Sequence, residues 1–179
     1  SMYSEVARQR VRKGKPADDV LEKIGKTSRE TIEKMSDIVW SVKSDNDTMD
    51  HMIQRMKSYA TILFAPQHAD VRFEVASGVE HIKLNMNQRR NVFLIFKEAV
   101  YNAAKYADCK LLEVTFTTDK KSLTMIIADN GRGFEFPAPN DLGGNGLENM
   151  RTRAMEVGGT LEIESHKLSG TRLTLRMKL

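Results

Sequence analysis

Along the first third of the chain, apolar residues recur every three or four positions, and along much of the remainder they recur every second position. Residues 4 to 13 carry a helical pattern, "KGKPADD" reads as a turn, and a second helical pattern runs from about Pro16 to about Val42. Within it Leu21, Ile24, Ser28, Thr31, Met35, Ile38 and Val42 alternate steps of three and four, the seam of a coiled coil or bundle. Two helices joined by a short turn make a hairpin whose apolar stripe needs cover. The spacing therefore predicts a four-helix bundle formed by two chains, with packing of the hairpin on its own globular domain as the alternative. "KSDND" interrupts the pattern. Met49, Ile53, Met56, Ala60 and Leu63 resume it in a connecting helix that should stop near Ala65-Pro66, because proline disfavours helix in the residue before it.

After Pro66 the period changes to two. Val71, Phe73 and Val75 alternate with polar residues, as do Leu112, Val114 and Phe116, then Leu161 and Ile163, then Leu173, Leu175, Met177 and Leu179. "LTMIIADNG" is a more continuous apolar run, as expected of a buried strand. Helical patterns cover about residues 86 to 107 and 145 to 157. The expected fold class is α+β, a helical hairpin followed by a sheet with helices on one face. The expected divisions are 1–45 for the hairpin, 46–66 for the connecting helix and 67–179 for the sheet domain.

Composition narrows the picture only slightly. With 179 residues, 40% of them hydrophobic, the chain can bury one good core and a smaller helical appendage. The lone Cys109 cannot form an internal disulfide, and no apolar run approaches bilayer length or a signal-peptide pattern. The expectation is a soluble, cytoplasmic fragment; its opening Ser-Met reads as an expression scar on a piece of something longer. The net charge of +4 is mild, and Arg8, Arg10, Arg12, Lys13 and Lys15 form a concentrated basic cluster at a helix end, without a patterned basic motif for nucleic acid. Four scattered histidines lack metal-ligand spacing.

Three segments carry candidate chemistry. In "FKEAVYNAAKYA", residues 96 to 107, Glu98, Asn102 and Lys105 fall on one helical face, although a solvated stripe would look the same. "ADNGRGF", residues 128 to 134, ends an apolar strand on Asp129 and follows it with Gly131 and Gly133; it reads either as a ligand-approach loop or as a simple turn. "GGNGLENM", residues 143 to 150, sets Gly144 and Gly146 before a helix, where free amides can face an anion, or where a flexible loop starts a helix. Neither G-x-G-x-x-G nor G-x-x-x-x-G-K-[ST] occurs, which excludes the Rossmann and P-loop motifs.

Together, in this order and separation, the three segments resemble the ATP-binding (GHKL or Bergerat) fold shared by gyrase, the ninety-kilodalton heat-shock chaperones, histidine kinases and mismatch-repair ATPases. "FKEAVYNAAKYA" is similar to the N box and "DNGRGF" to the first glycine box. "GNGLENMRTRA", with "GGTLEIES" and "SGTRLTL", is similar to the second glycine box and the closing strands. Within that group "GNGLENM" and the preceding helices resemble sensor histidine kinases with the shorter, bacterial dimerisation hairpin.

The resemblance implies ATP and Mg²⁺ as cofactors and gives each residue a role. Asn102 would coordinate Mg²⁺, Glu98 would polarise the attacking group or hold a metal-bound water, and Lys105 would offset phosphate charge. The family's usual histidine after that lysine is Tyr106 here, which can donate a hydrogen bond but cannot carry a positive charge. Asp129 would accept from the adenine amine, and Gly131 and Gly133 would let the base slide past the backbone. Gly144, Gly146 and Leu147 would shape the phosphate end, while Thr171 would help hold Asp129 and adenine through water. "FEFPAPNDLG" resembles a lid over the triphosphate.

The implied activity is transfer of the γ-phosphoryl group to a histidine, with a homodimer through the hairpin and a response regulator as partners, no nucleic acid, and anchoring in the inner membrane only through other parts of the intact protein. Residues 4 to 13 contain no histidine and His51 follows the hairpin, so the acceptor is expected upstream and this chain is not expected to phosphorylate itself. An ATPase or serine kinase of the same fold, or a dimeric scaffold without catalysis, are the alternatives.

Overall fold

The computed structural model describes residues 2–42, 48–119, 121–135 and 146–179. "KSDND", Gly144 and most of "FEFPAPNDLG" therefore lie outside the described residues. The chain divides into two compact units, Ser1–Val42 and Lys43–Leu179.

The first unit is a hairpin of α1 (Met2–Arg12) and α2 (Asp18–Val42). Arg10 closes it with a two-pronged contact to Asp19, at 2.8 and 3.0 Å, on an exposed surface where such a pair contributes little. Ala7, Ala17 and Val20 are buried, with Tyr3, Val6 and Ile24 packed against them. Of the expected seam, Ile24 faces this small core while Leu21 and Met35 are exposed, as are Ile32 and Val39. The reason is length: α1 has 11 residues and α2 has 25, so α1 covers only the first turns of its partner.

The second unit begins with α3 (Met49–Phe64), whose Met49, Met52, Ile53, Met56, Ala60 and Phe64 are buried at helical spacing. Pro66 converts its end into a 3-10 turn, as the sequence required. There follow β1 (Asp70–Val75), α4 (Met86–Asn102), β2 (Leu111–Thr118), β3 (Ser122–Asp129), α5 (Gly146–Glu156), β4 (Gly159–Ser165) and β5 (Thr171–Lys178). The sheet order is β1-β2-β3-β5-β4; β1 and β2 are parallel, with α4 in the crossover, and the other pairs are antiparallel.

Alternate residues of β2, β3 and β5 form the sheet side of the core: Leu112, Val114 and Phe116; Leu123, Met125 and Ile127; Leu173, Leu175 and Met177. In β3 the intervening Thr124, Ile126 and Ala128 are only half-buried, so "LTMIIADNG" is less enclosed than its apolar run predicted. Helices α3, α4 and α5 supply the facing layer, and Phe96 of α4 joins Tyr59, Phe73 and Phe93 at ring separations of 6.2 to 6.4 Å. Among the described residues no helix is long and apolar enough to cross a membrane.

Candidate functional site

Helix α4 starts at a capping box: Asn85 accepts from the Gln88 amide, and Gln88 accepts from the Asn85 amide, each at 3.0 Å. At its other end the expected single helix of residues 86 to 107 changes character, because Ala103–Ala107 form a π-helix. Groups from outside take up carbonyls of this wider turn: Gln67 Nε2 donates to Ala104 at 2.8 Å, the Arg132 amide to Ala107 at 2.8 Å, and Arg132 Nε to Tyr106. With i→i+5 bonding, a residue three positions beyond Asn102 no longer comes round onto its face. Glu98 and Asn102 stay together, and Lys105 departs from them.

A cavity of about 620 Å³ opens between α4, the loop after β3, the first turn of α5 and the start of β5, a size suited to a small-molecule ligand. Glu98, Asn102, Tyr106, Asp129, Gly133, Gly146, Leu147 and Thr171 all line it. Gly131 and Lys105 do not. The Lys105 ammonium lies over the Tyr106 and Tyr101 rings, 4.9 and 5.6 Å from their centroids. A hydrogen bond with Tyr106, with help from Tyr101, holds it above the ordinary lysine pKa, so it remains a cation beside two rings of the cavity wall.

At the polar end, Asn102 Nδ2 donates to Glu98 Oε1 at 3.3 Å. A carboxylate can only accept, so Glu98 fixes which end of the amide it faces and leaves Asn102 Oδ1 as the end suited to a hard cation. A Cβ on Gly146 would overlap Glu98 Oε1, so the first residue of α5 lies directly against this carboxylate and only glycine fits there without displacing it. Helix α5 is held on α4 by a part-buried knot centred on the buried Asn91, which donates to Asn87 and Glu156, both at 3.0 Å, and accepts from Arg153 at 3.2 Å.

At the other end, β3 delivers Asp129 into a half-buried position opposite Thr171 in β5. Burial pushes its carboxyl pKa up, while hydrogen bonds from the Gly131 amide, at 2.9 Å, and from Thr171 pull it partly back. Ala99, Ala103 and Ala107 line the floor between the two ends. Their short side chains, spaced by four along "FKEAVYNAAKYA", leave the space that bulkier residues would fill, which accounts for the alanine-rich composition of that segment.

On the side where a Cβ would project, the two glycines after Asp129 meet the protein's own backbone: Gly131 packs on the Ala107 carbonyl, and Gly133, at φ +55°, packs on the carbonyls of His166 and Gly170 while still lining the cavity. They let the loop backbone be clamped between the π-helix and the β4–β5 turn. Sequence reading also passed over Tyr101, Arg132, Phe134, Glu135, Met150 and Leu173, which line the cavity as well. Arg132 had a visible signal, a cation between two motif glycines; the apolar lining residues look like any core positions.

With this geometry in place, the comparisons fall on the same segments. The sequence profile described as histidine kinase-, DNA gyrase B-, and HSP90-like ATPase matches residues 87–179. The chain belongs to this family. The family implies ATP binding, and every residue that lines the cavity lies within the matched span. The sensor protein VraS of Staphylococcus epidermidis is 33% identical over 107 residues, 60% of this chain and 28% of that protein. The sensor histidine kinase YdfH of Bacillus subtilis is 30% identical over 101 residues, 55% of this chain and 25% of that protein. The chain thus spans about a quarter of the length of these curated relatives. The solved structure of the histidine kinase AdeS of Acinetobacter baumannii matches with a TM-score of 0.69 at 14% identity, over 97% of this chain and 92% of that one, which establishes the shared α+β fold.

Proposed function

We propose that this chain is the ATP-binding catalytic part of a sensor histidine kinase, which transfers the γ-phosphoryl group of ATP to a histidine of the intact protein and from there serves a response regulator. The observation that carries the reading is the convergence of Asp129 and Asn102, from separate segments, in the lining of one cavity in a domain of the ATPase family. Asp129 accepts from the adenine amine; guanine would set a carbonyl against the carboxylate and leave it unpaired. Leu147, Met150 and Leu173 give the base an apolar wall. Lys105, charged and adjacent, offsets phosphate charge from beside the cavity.

The donor set suits Mg²⁺. Among the described residues no three histidine, cysteine or carboxylate side chains gather to hold a metal, so the ion would be shared between Asn102, Glu98 through water, and the phosphates themselves. When bound, Mg²⁺ supplies neutralisation of the charge on the transferring phosphoryl group. Glu98 orients Asn102 and presents a carboxylate to the attacking group.

Calorimetric titration with ATP, with and without Mg²⁺, tests this reading. The wild-type domain is expected to bind ATP more tightly with Mg²⁺, and Asn102→Ala to lose that enhancement; an unchanged metal response in the variant would remove Asn102 from the role. Transfer to an added acceptor-containing partner should yield acid-labile, alkali-stable phosphohistidine, whereas phosphoserine or free phosphate alone would favour the other reactions of the fold.

Affinity should also depend on pH with a defined sign. The raised pKa of Asp129 means that its protonated form favours the folded free domain, a contribution lost as pH rises through that elevated value. The adenine amine needs the ionised form, so ATP affinity should climb as pH rises through the same range and then level off. Titrations across acid to neutral pH check this against Asp129→Asn, whose profile should be flat there.

The exposed Ile32, Met35 and Val39 of α2 support dimerisation through the hairpin, because an apolar stripe at steps of three and four seeks a second helix pair. Sedimentation equilibrium should give a dimer mass. A strictly monomeric mass at high concentration would reject this assembly.

A further inference from the structure

Ser165, the last residue of β4, is 3% exposed and does not line the cavity, yet its hydroxyl touches two residues of the wall, Phe134 and Thr171, and Gly170 beside them. It accepts from the Phe134 amide at 2.9 Å and lies 3.1 Å from both the Gly170 carbonyl, which can only accept, and the Thr171 hydroxyl, where either oxygen can donate. Thr171 in turn sits directly across from Asp129 in the β3–β5 pairing, and its amide and hydroxyl help lower the Asp129 carboxyl pKa. Ser165 thus has one proton and two acceptors. When that proton points at Thr171, the Thr171 hydroxyl must spend its own proton on its remaining neighbour, the Asp129 carboxylate.

Resting on the ATP reading above, we propose that Ser165 is a positioning residue for purine discrimination: it fixes Thr171 as a donor toward Asp129 and ties the loop at Phe134 to the start of β5. Removing its hydroxyl frees Thr171 to rotate and leaves the Phe134 amide without its side-chain acceptor in a part-buried position. The carboxylate is then no longer held at one place relative to the opposite wall. Selectivity for an amine over a carbonyl at purine position 6 should fall more than affinity for the nucleotide as a whole.

The test measures affinities of ATP and inosine triphosphate for the wild-type chain and for Ser165→Ala. The wild type is expected to prefer ATP, and the variant to narrow that preference by about three-fold or more, the scale of one hydrogen bond. If both affinities fall in proportion with the ratio unchanged, Ser165 is merely structural and the proposal is overturned. A wild type that does not prefer ATP would instead overturn the adenine role of Asp129. The clamp has a separate readout in hydrogen exchange: the wild-type Phe134 amide should be protected without nucleotide, and free exchange there would overturn the clamp. Should Ser165→Ala not fold, Ser165→Cys, with a weaker donor of similar size, carries the same ratio measurement.

Discussion

Asp129→Asn should weaken ATP binding by roughly ten-fold or more, the value of a hydrogen bond to a charged group at about 1.5 to 3 kcal/mol. The side chain keeps its shape, so Oδ1 can still accept from the Gly131 amide that it holds now at 2.9 Å. What it loses is the charge, and with it an acceptor at both oxygens for a donor entering the cavity. Stability should move the other way. Burial disfavours the ionised carboxyl in the folded domain, so a neutral amide removes that penalty and the melting temperature of the free protein should hold or rise. Calorimetry and thermal melting on one preparation separate the two effects. An affinity equal to that of the wild type would end the assignment of Asp129 to adenine, and a large drop in melting temperature would show that the substitution had damaged the fold instead.

Gly133→Ala is the second large effect, and it acts on the loop rather than on the ligand. At φ +55° an L-residue is strained by about 1 kcal/mol, and the new Cβ would overlap the His166 carbonyl while crowding that of Gly170 at 2.7 Å. Both neighbours are backbone and cannot swing aside, so the loop must lift off the β4–β5 turn, at about 1 to 3 kcal/mol more by analogy with overpacked cores. Gly158→Ala supplies the control: its φ is +67° but nothing lies within 4 Å of the added Cβ, so it bears the backbone strain alone. Thermal melts should show Gly133→Ala clearly less stable than Gly158→Ala, and nucleotide titration should show binding lost only in the former. Equal melting temperatures would mean that the close approach to His166 costs nothing.

Much of this was legible in the residues. Period-two runs at Leu112–Phe116 and Leu173–Met177 became paired strands, and the Pro66 stop and the helical stretches appeared near their expected positions, because each depends on local sterics and on one buried face. Three short segments also carried the family likeness, through chemistry that a strand end, a glycine turn and an alanine-rich helix rarely combine. Gly133 was legible as a place of close approach, but not its partner: whether backbone or ligand fills the missing Cβ is settled by the β4–β5 turn, far along the chain.

Lys105 marks where local reasoning ended. On an ideal helix it shares a face with Asn102; the π-helix that turns it away is sustained by Gln67 and Arg132, which no window around residue 105 contains. Ser165 was silent for the same reason, a small polar residue at a strand end whose importance lies entirely in Phe134, Gly170 and Thr171. Periodicity and motif chemistry were enough to name the elements, the family likeness and about half of the cavity wall, since these follow from interactions within a few residues. Which groups actually meet, and which carbonyls, protons and voids they share, came from the pairing of β3 with β5 and the packing of α4 on the sheet, because such contacts join residues whose separation along the chain leaves no local trace.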